Sequence, residues 1–178
     1  MEKQNTPEFS RPVAVEKVKE EATFAVEATP VERENLARRL GIVSVDHLSA
    51  DLRLTRLMGA MVRLEGRLTA EVTQSCVVTL APVHSRIAAA LDRRYGPAEA
   101  LADVDAEDIG LEDDDVPEVL VDGVIDLGEA VSEQLALEID PFPRAEGAEF
   151  PGYASGPEPT ETAKNPFAAL GDLLKKQK

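Results

Sequence analysis

Met61-Val62-Arg63-Leu64-Glu65-Gly66-Arg67-Leu68-Thr69-Ala70-Glu71-Val72 alternates without a break. Val62, Leu64, Gly66, Leu68, Ala70 and Val72 fall on one side; Met61, Arg63, Glu65, Arg67, Thr69 and Glu71 fall on the other. A period of two over this length predicts a half-buried strand. Its length also predicts a bulge or bend, placed at Gly66. Upstream, Leu48, Leu52 and Leu54 interleave with Asp51 and Arg53. They predict a partner strand, with the hairpin turning near Met58-Gly59.

Working outward, Thr29-Pro30-Val31-Glu32 reads as a helix start. Thr29 can cap, proline suits the first helical position and Glu32 can close a capping box. Leu36 and Leu40 supply an apolar side, and Gly41 ends the helix. Before it, residues 9–18 with Val13, Val15 and Val18 read as extended, and Thr23–Glu27 alternates. A polar turn at 19–22 suggests that these two segments pair. Downstream, Val83, Ile87 and Leu91 are spaced by four, which favours a helix over 83–95. The alternation of His84 and Arg86 with Ser85 and Ile87 supports a strand instead.

Residues 103–118 hold nine acids in sixteen positions, which predicts a solvated acidic loop. Val119–Val121 reads as a strand turned at Asp122-Gly123. Asp126 caps the next helix, with Glu129 at the capping-box position and Leu127, Ala130, Val131 and Leu135 as its buried stripe. That helix fades before Pro141. Residues 143–164 are linker-like. Near the end, Asn165 can cap, Pro166 can open a helix, and Phe167, Leu170, Leu173 and Leu174 form an apolar stripe. A short amphipathic helix on a tether suits docking into a partner's groove.

The fold class expected is therefore α+β: a mostly antiparallel, curved sheet with two main helices (30–40 and 126–138), an acidic loop and a flexible C-terminal arm. The organisation expected is an N-terminal tail 1–8, one domain 9–142, a linker 143–164 and a helical motif 165–178.

Charge is split along the chain. Residues 1–95 carry a net of +1 and residues 96–178 a net of −16. At long range such a chain repels phosphate backbones. Arg63 and Arg67 project from one side of the long strand, and Arg53 and Arg56 lie on its neighbour. These four are the candidates for RNA contact, with ion pairing to Glu65 and Glu71 the structural alternative. Base-stacking aromatics are scarce: there is no Trp, and Tyr95 and Tyr153 are the only tyrosines.

No GxSxG, HExxH or phosphate-binding loop occurs, so no catalytic residue is expected. His47 and His84 sit in no recognisable motif. Asp113–Asp115 lacks the glycine and glutamate spacing of a calcium loop. The lone Cys76 rules out an internal disulfide and fits a reducing cytoplasm. It reads as a partly buried core residue. No cofactor, metal or membrane segment is expected. The polar Met1–Ser10 reads as neither secretory signal nor transit peptide.

Two stretches resemble the YceD-type family, the bacterial large ribosomal RNA subunit accumulation proteins. One runs from Pro117 through Asp122, Gly123, Asp126, Leu127, Glu133 and Leu135 to Pro141; the other is Asn165-Pro166-Phe167-Ala168-Ala169-Leu170. The resemblance favours strand over helix for 83–95. Many members of that family carry a Cys-x-x-Cys pair after the long strand. Here Cys76 stands at the first position and Thr79 at the second, so a family metal site is lost. What the resemblance implies is a non-enzymatic role in synthesis, processing or stability of large-subunit (23S) ribosomal RNA. The partner would be the pre-ribosomal large-subunit RNA or a basic ribosomal protein. The alternatives are a metal-dependent RNA-processing hydrolase, using Asp122 and Asp126, and a regulator acting through protein contacts alone.

Overall fold

The computed structural model describes residues 7–98 and 117–149. Most of the acidic stretch, the linker beyond Glu149 and the whole Asn165–Leu174 motif lie outside the described residues. The fold is α+β. Strands β1 (Pro12–Ala14), β2 (Glu21–Glu27), β3 (Ser44–Arg56), β4 (Val62–Ser75), β5 (Pro82–Gly96), β6 (Glu118–Val119) and β7 (Val124–Asp126) combine with helices α1 (Pro30–Leu40) and α2 (Leu127–Glu138). Five strands form the main sheet in the order β2-β3-β4-β5-β6, antiparallel except for β5 with β6. A small ribbon pairs β1 with β7.

The expected hairpin is present, with Leu54 opposite Leu64 and Leu48 opposite Ala70. Val62, Leu64, Leu68, Ala70 and Val72 are buried on its inner face. Leu36 and Ala37 of α1, and Leu127, Ala130, Val131 and Leu135 of α2, complete the core on that side. A fully buried leucine contributes about 2 kcal/mol of transfer free energy, so this one-sided face holds the sheet and helices together.

α1 starts as its sequence dictates. Thr29 Oγ1 accepts from the Glu32 amide (3.4 Å) and Glu32 Oε2 accepts from the Thr29 amide (2.8 Å). Gly41, at φ 66°, closes the helix in the left-handed region. Glu32 also takes both terminal nitrogens of Arg11, at 2.7 and 3.0 Å. That guanidinium, with the Thr29 amide, holds the Glu32 carboxyl down at about 2.

Several expectations are corrected. The segment 9–18 does not pair with 23–27. Only Pro12–Ala14 is extended there, and its partner is Val124–Asp126, more than a hundred residues away. The bulge lies between Val45 and His47 rather than at Gly66. It turns Asp46 so that its carbonyl accepts from Arg33 and its carboxylate from Thr73. Gly66 stays in register between Leu52 and Leu91. Its lack of a side chain serves close packing instead, because a Cβ there would lie 2.2 Å from the Asp51 carbonyl oxygen. Residues 83–95 are strand, since a spacing of four is also a multiple of two. The extended piece expected at 119–121 is Glu118–Val119, joined in parallel to Tyr95 and Gly96.

Candidate functional site

The residues that carry the C-terminal resemblance converge on one end of the sheet. Asp122 (φ 53°) and Gly123 (φ 67°) form a turn with positive φ at both positions, which an Asp-Gly pair adopts readily. The Gly123 carbonyl accepts from the Val15 amide at 2.9 Å, which fixes this turn to the N-terminal segment. Asp126 then joins three pieces of chain. Its Oδ1 accepts the amides of Arg11 (2.7 Å), Gly128 (3.0 Å) and Glu129 (3.2 Å), and its Oδ2 accepts the Ser10 hydroxyl. Asp126 is therefore helix cap and strand anchor together. Glu129 does not close a capping box. Its carboxylate grips Arg39 of α1 at 2.7 and 2.9 Å, and Glu8 supplies a second acceptor to that guanidinium. Leu127 and Leu135 are core.

Glu133 has a role the sequence did not announce. It pairs with Arg93, whose side chain is 13% exposed on the inner face of β5 and also reaches Glu118 at 3.4 Å. The pair ties α2 to β5 and to the short β6. Burial and the nearby Glu118 carboxylate push the neighbouring Tyr95 hydroxyl up to about 12. The strand periodicity held a clue: Arg93 shares its parity with the buried Leu91 and Tyr95, so a cation was bound to need a partner there.

Beside this end runs a cleft of about 540 Å³ between the β1/β7 ribbon and the β3–β4 turn. Val15, Arg56, Leu57, Met61, Leu120, Asp122 and Val124 line it. Exposed apolar side chains flank it in sequence, with Met58 93% and Val121 66% accessible.

The four arginines singled out for RNA do not act as one patch. Arg53, Arg63 and Arg67 share the outer face, but Arg56 lies three residues from Arg53 and so on the opposite face. There it donates to the Val15 carbonyl at 3.1 Å. Arg63 is held by Asp92 through two bonds, with Glu65 at 3.3 Å, and Arg53 lies 3.7 Å from Glu21. A groove of about 700 Å³ on this face places Arg53 and Arg67 among Asp51, Glu65 and Asp92. Two guanidiniums against three carboxylates make a poor phosphate trap.

The histidines serve the sheet. Thr73 donates to Asp46 (2.9 Å), so His84 Nδ1 carries the proton it shares with the Thr73 oxygen at 2.9 Å. His47 bonds Ser49 at 2.9 Å. Among the described residues, no three metal-binding side chains gather.

Cys76 is fully rather than partly buried. It begins a tight turn in which the amides of Val78 and Thr79 both point at Sγ, at 3.4 Å. The Ala145 amide, foremost, then the Thr79 hydroxyl and these two amides hold the thiol down at about 6. Thr79 thus binds the Cys76 sulfur through both its amide and its hydroxyl. The segment after α2 is pinned here as well: Val77 donates to the Pro143 carbonyl at 2.9 Å and Gln74 to the Asp140 carbonyl at 2.8 Å. We expect the ultraviolet absorbance of the Cys76 thiolate to rise with a midpoint near pH 6, against 9.0 for an ordinary thiol. Because the folded value is the lower one, the stability this thiolate contributes is complete above about pH 9 and fades as pH falls through about 6. A midpoint near 9 would contradict this arrangement.

No helix among the described residues is long and apolar enough to cross a membrane. Compared with known proteins, residues 64–174 match the family model described as large ribosomal RNA subunit accumulation protein YceD. The match starts inside β4, passes through α2 and ends at the last residue of the Asn165–Leu174 motif. No curated protein and no solved structure matches the chain.

Proposed function

Because the chain belongs to the YceD family of large ribosomal RNA subunit accumulation proteins, we propose that it promotes accumulation of large-subunit ribosomal RNA as a non-enzymatic assembly adaptor. The observation that carries this reading is the family match, which takes in both the α2 region and the tail motif. The cleft beside the Asp122 turn, with exposed Leu57, Met58 and Val121, supports a protein contact over a nucleic-acid one. So do the internal pairing of Arg53 and Arg63 and the net −16 of residues 96–178. A basic ribosomal protein fits that charge better than bare RNA. Asn165, Pro166, Phe167, Leu170, Leu173 and Leu174 are the proposed second contact, recruiting another component.

The test is sedimentation of a tagged chain from cells, with RNA and protein identified across the gradient. Full-length protein is expected to travel with large-subunit precursors. A chain ending at residue 164 is expected to stay at the top of the gradient while keeping the same thermal transition. Equal co-migration of the truncated chain removes the tail from the reading. Metal-dependent cleavage of ribosomal RNA by the purified protein, abolished by Asp122→Asn, would replace the adaptor with a hydrolase.

A further inference from the structure

β5 is the longest strand of the sheet, yet its partner β6 covers only Tyr95 and Gly96. Leu120 donates to the Gly96 carbonyl at 2.8 Å, so Gly96 points its backbone groups toward the β6 side. Alternation along a strand puts the N–H and C=O of His84, Arg86, Ala88, Ala90 and Asp92 on that same side. Among the described residues, no backbone hydrogen bond reaches them. All five side chains are exposed on the outer face.

Open edges of this length are normally blunted by lysine, proline or a bulge. β5 has no lysine, its proline is the first residue, and its register with β4 runs unbroken from Pro82 to Tyr95. The opposite edge strand, β2, is half as long and carries Glu21 and Glu27 at its ends.

We infer that two copies of this chain pair antiparallel along β5, with the two-fold axis at Ala89, to form one continuous sheet. Charge selects that register. With the axis at Ala89, Arg86 of each copy lies opposite Asp92 of the other, and Ala88 opposite Ala90. An axis at Ala90 would oppose Arg86 to Arg94, an axis at Asp92 would stack two carboxylates, and an axis at Ile87 would set Asp92 opposite Pro82 and Arg86 opposite Ala88, with no opposite charges meeting. Within each copy Arg86 already touches Glu71 (3.0 Å) and Asp92 holds Arg63. The seam therefore continues an alternating series: Glu71, Arg86, Asp92 of the second copy, Arg63 of the second copy. An isologous contact needs such self-complementarity.

The experiment is sedimentation velocity of the full chain from roughly 1 to 100 μM, where a small interface becomes half-occupied. A concentration-dependent dimer is expected. R86D should weaken it about tenfold, because it sets like charges opposite each other twice. Mixing R86D with D92R should restore association. Circular dichroism separates this from misfolding, since Arg86 is exposed and outside the core. Register is read by oxidation. An A88C chain mixed with an A90C chain should form a disulfide-linked pair faster than either alone, since directly opposite hydrogen-bonded residues lie about 5.5 Å apart. A monomer at every concentration overturns the proposal and leaves the edge to another occupant. A dimer indifferent to R86D, or without the mixed disulfide, overturns it equally.

Discussion

Gly66→Ala is expected to cost about 3 kcal/mol or more of folding free energy, measured by urea unfolding. The added Cβ would sit 2.2 Å from the Asp51 carbonyl oxygen and 2.9 Å from the Leu52 Cα. These are backbone atoms of the neighbouring strand, so no rotamer change relieves the clash. β3 and β4 must separate at the centre of the sheet, where Leu64 and Leu68 are wholly buried. Gly41→Ala is the control. It has no atom within 4 Å of the new Cβ but keeps φ at +66°, so it should cost only about 1 kcal/mol, the strain of the left-handed region. Equal costs at the two sites would show that conformational freedom, not close approach, places glycine at position 66.

Asp126→Ala should remove about 3 kcal/mol, part from the lost helix cap and part from the Arg11 amide and Ser10 hydroxyl left without their acceptor. The change should also free β1, because Arg11 (2.7 Å) and Ser10 both dock on this carboxylate. Hydrogen exchange at Val13 and Val15 is the specific readout, and it should quicken by more than exchange in β4. Asp126→Asn keeps an acceptor and should cost about 1 kcal/mol. If Asp126→Ala left exchange at Val13 unchanged, the N-terminal ribbon would be held by its own pairing and not by this side chain.

Much of the fold was legible because its signals are local. The α1 cap rests on Thr29, Pro30, Glu32 and Gly41 within one short stretch, and the β3–β4 hairpin rests on two alternating runs joined by a short turn. What escaped depends on distant chain. β1 finds β7 across more than a hundred residues, and no adjacent residue of β1 encodes that choice. Val83, Ile87 and Leu91 fit both helix and strand, and only the neighbouring β4 decides between them. Glu129 abandons its cap for Arg39, a residue on another helix. On the functional side, Asp122, Gly123 and Asp126 were legible as a turn and a cap. Ion pairing to Glu65 and Glu71 was legible from their shared face, and Arg63 meets Glu65 and Arg86 meets Glu71. The partners Glu21 of Arg53 and Asp92 of Arg63 were not, because they depend on cross-strand register. That Arg56 parts from Arg53 follows from spacing alone: a separation of three is odd, and odd separations change sides.

The β1–β7 ribbon also sets an order in time. Phe9 and Pro12–Ala14 leave synthesis more than a hundred residues ahead of their partners at Val124–Asp126 and the α2 face. At roughly 5–20 residues per second, the N-terminal segment waits several seconds before its docking site exists. During that wait Phe9, wholly buried in the finished molecule, lacks the Gly128 turn of α2 that packs against its backbone. The segment Phe9–Ala14 is thus the closing latch of the fold.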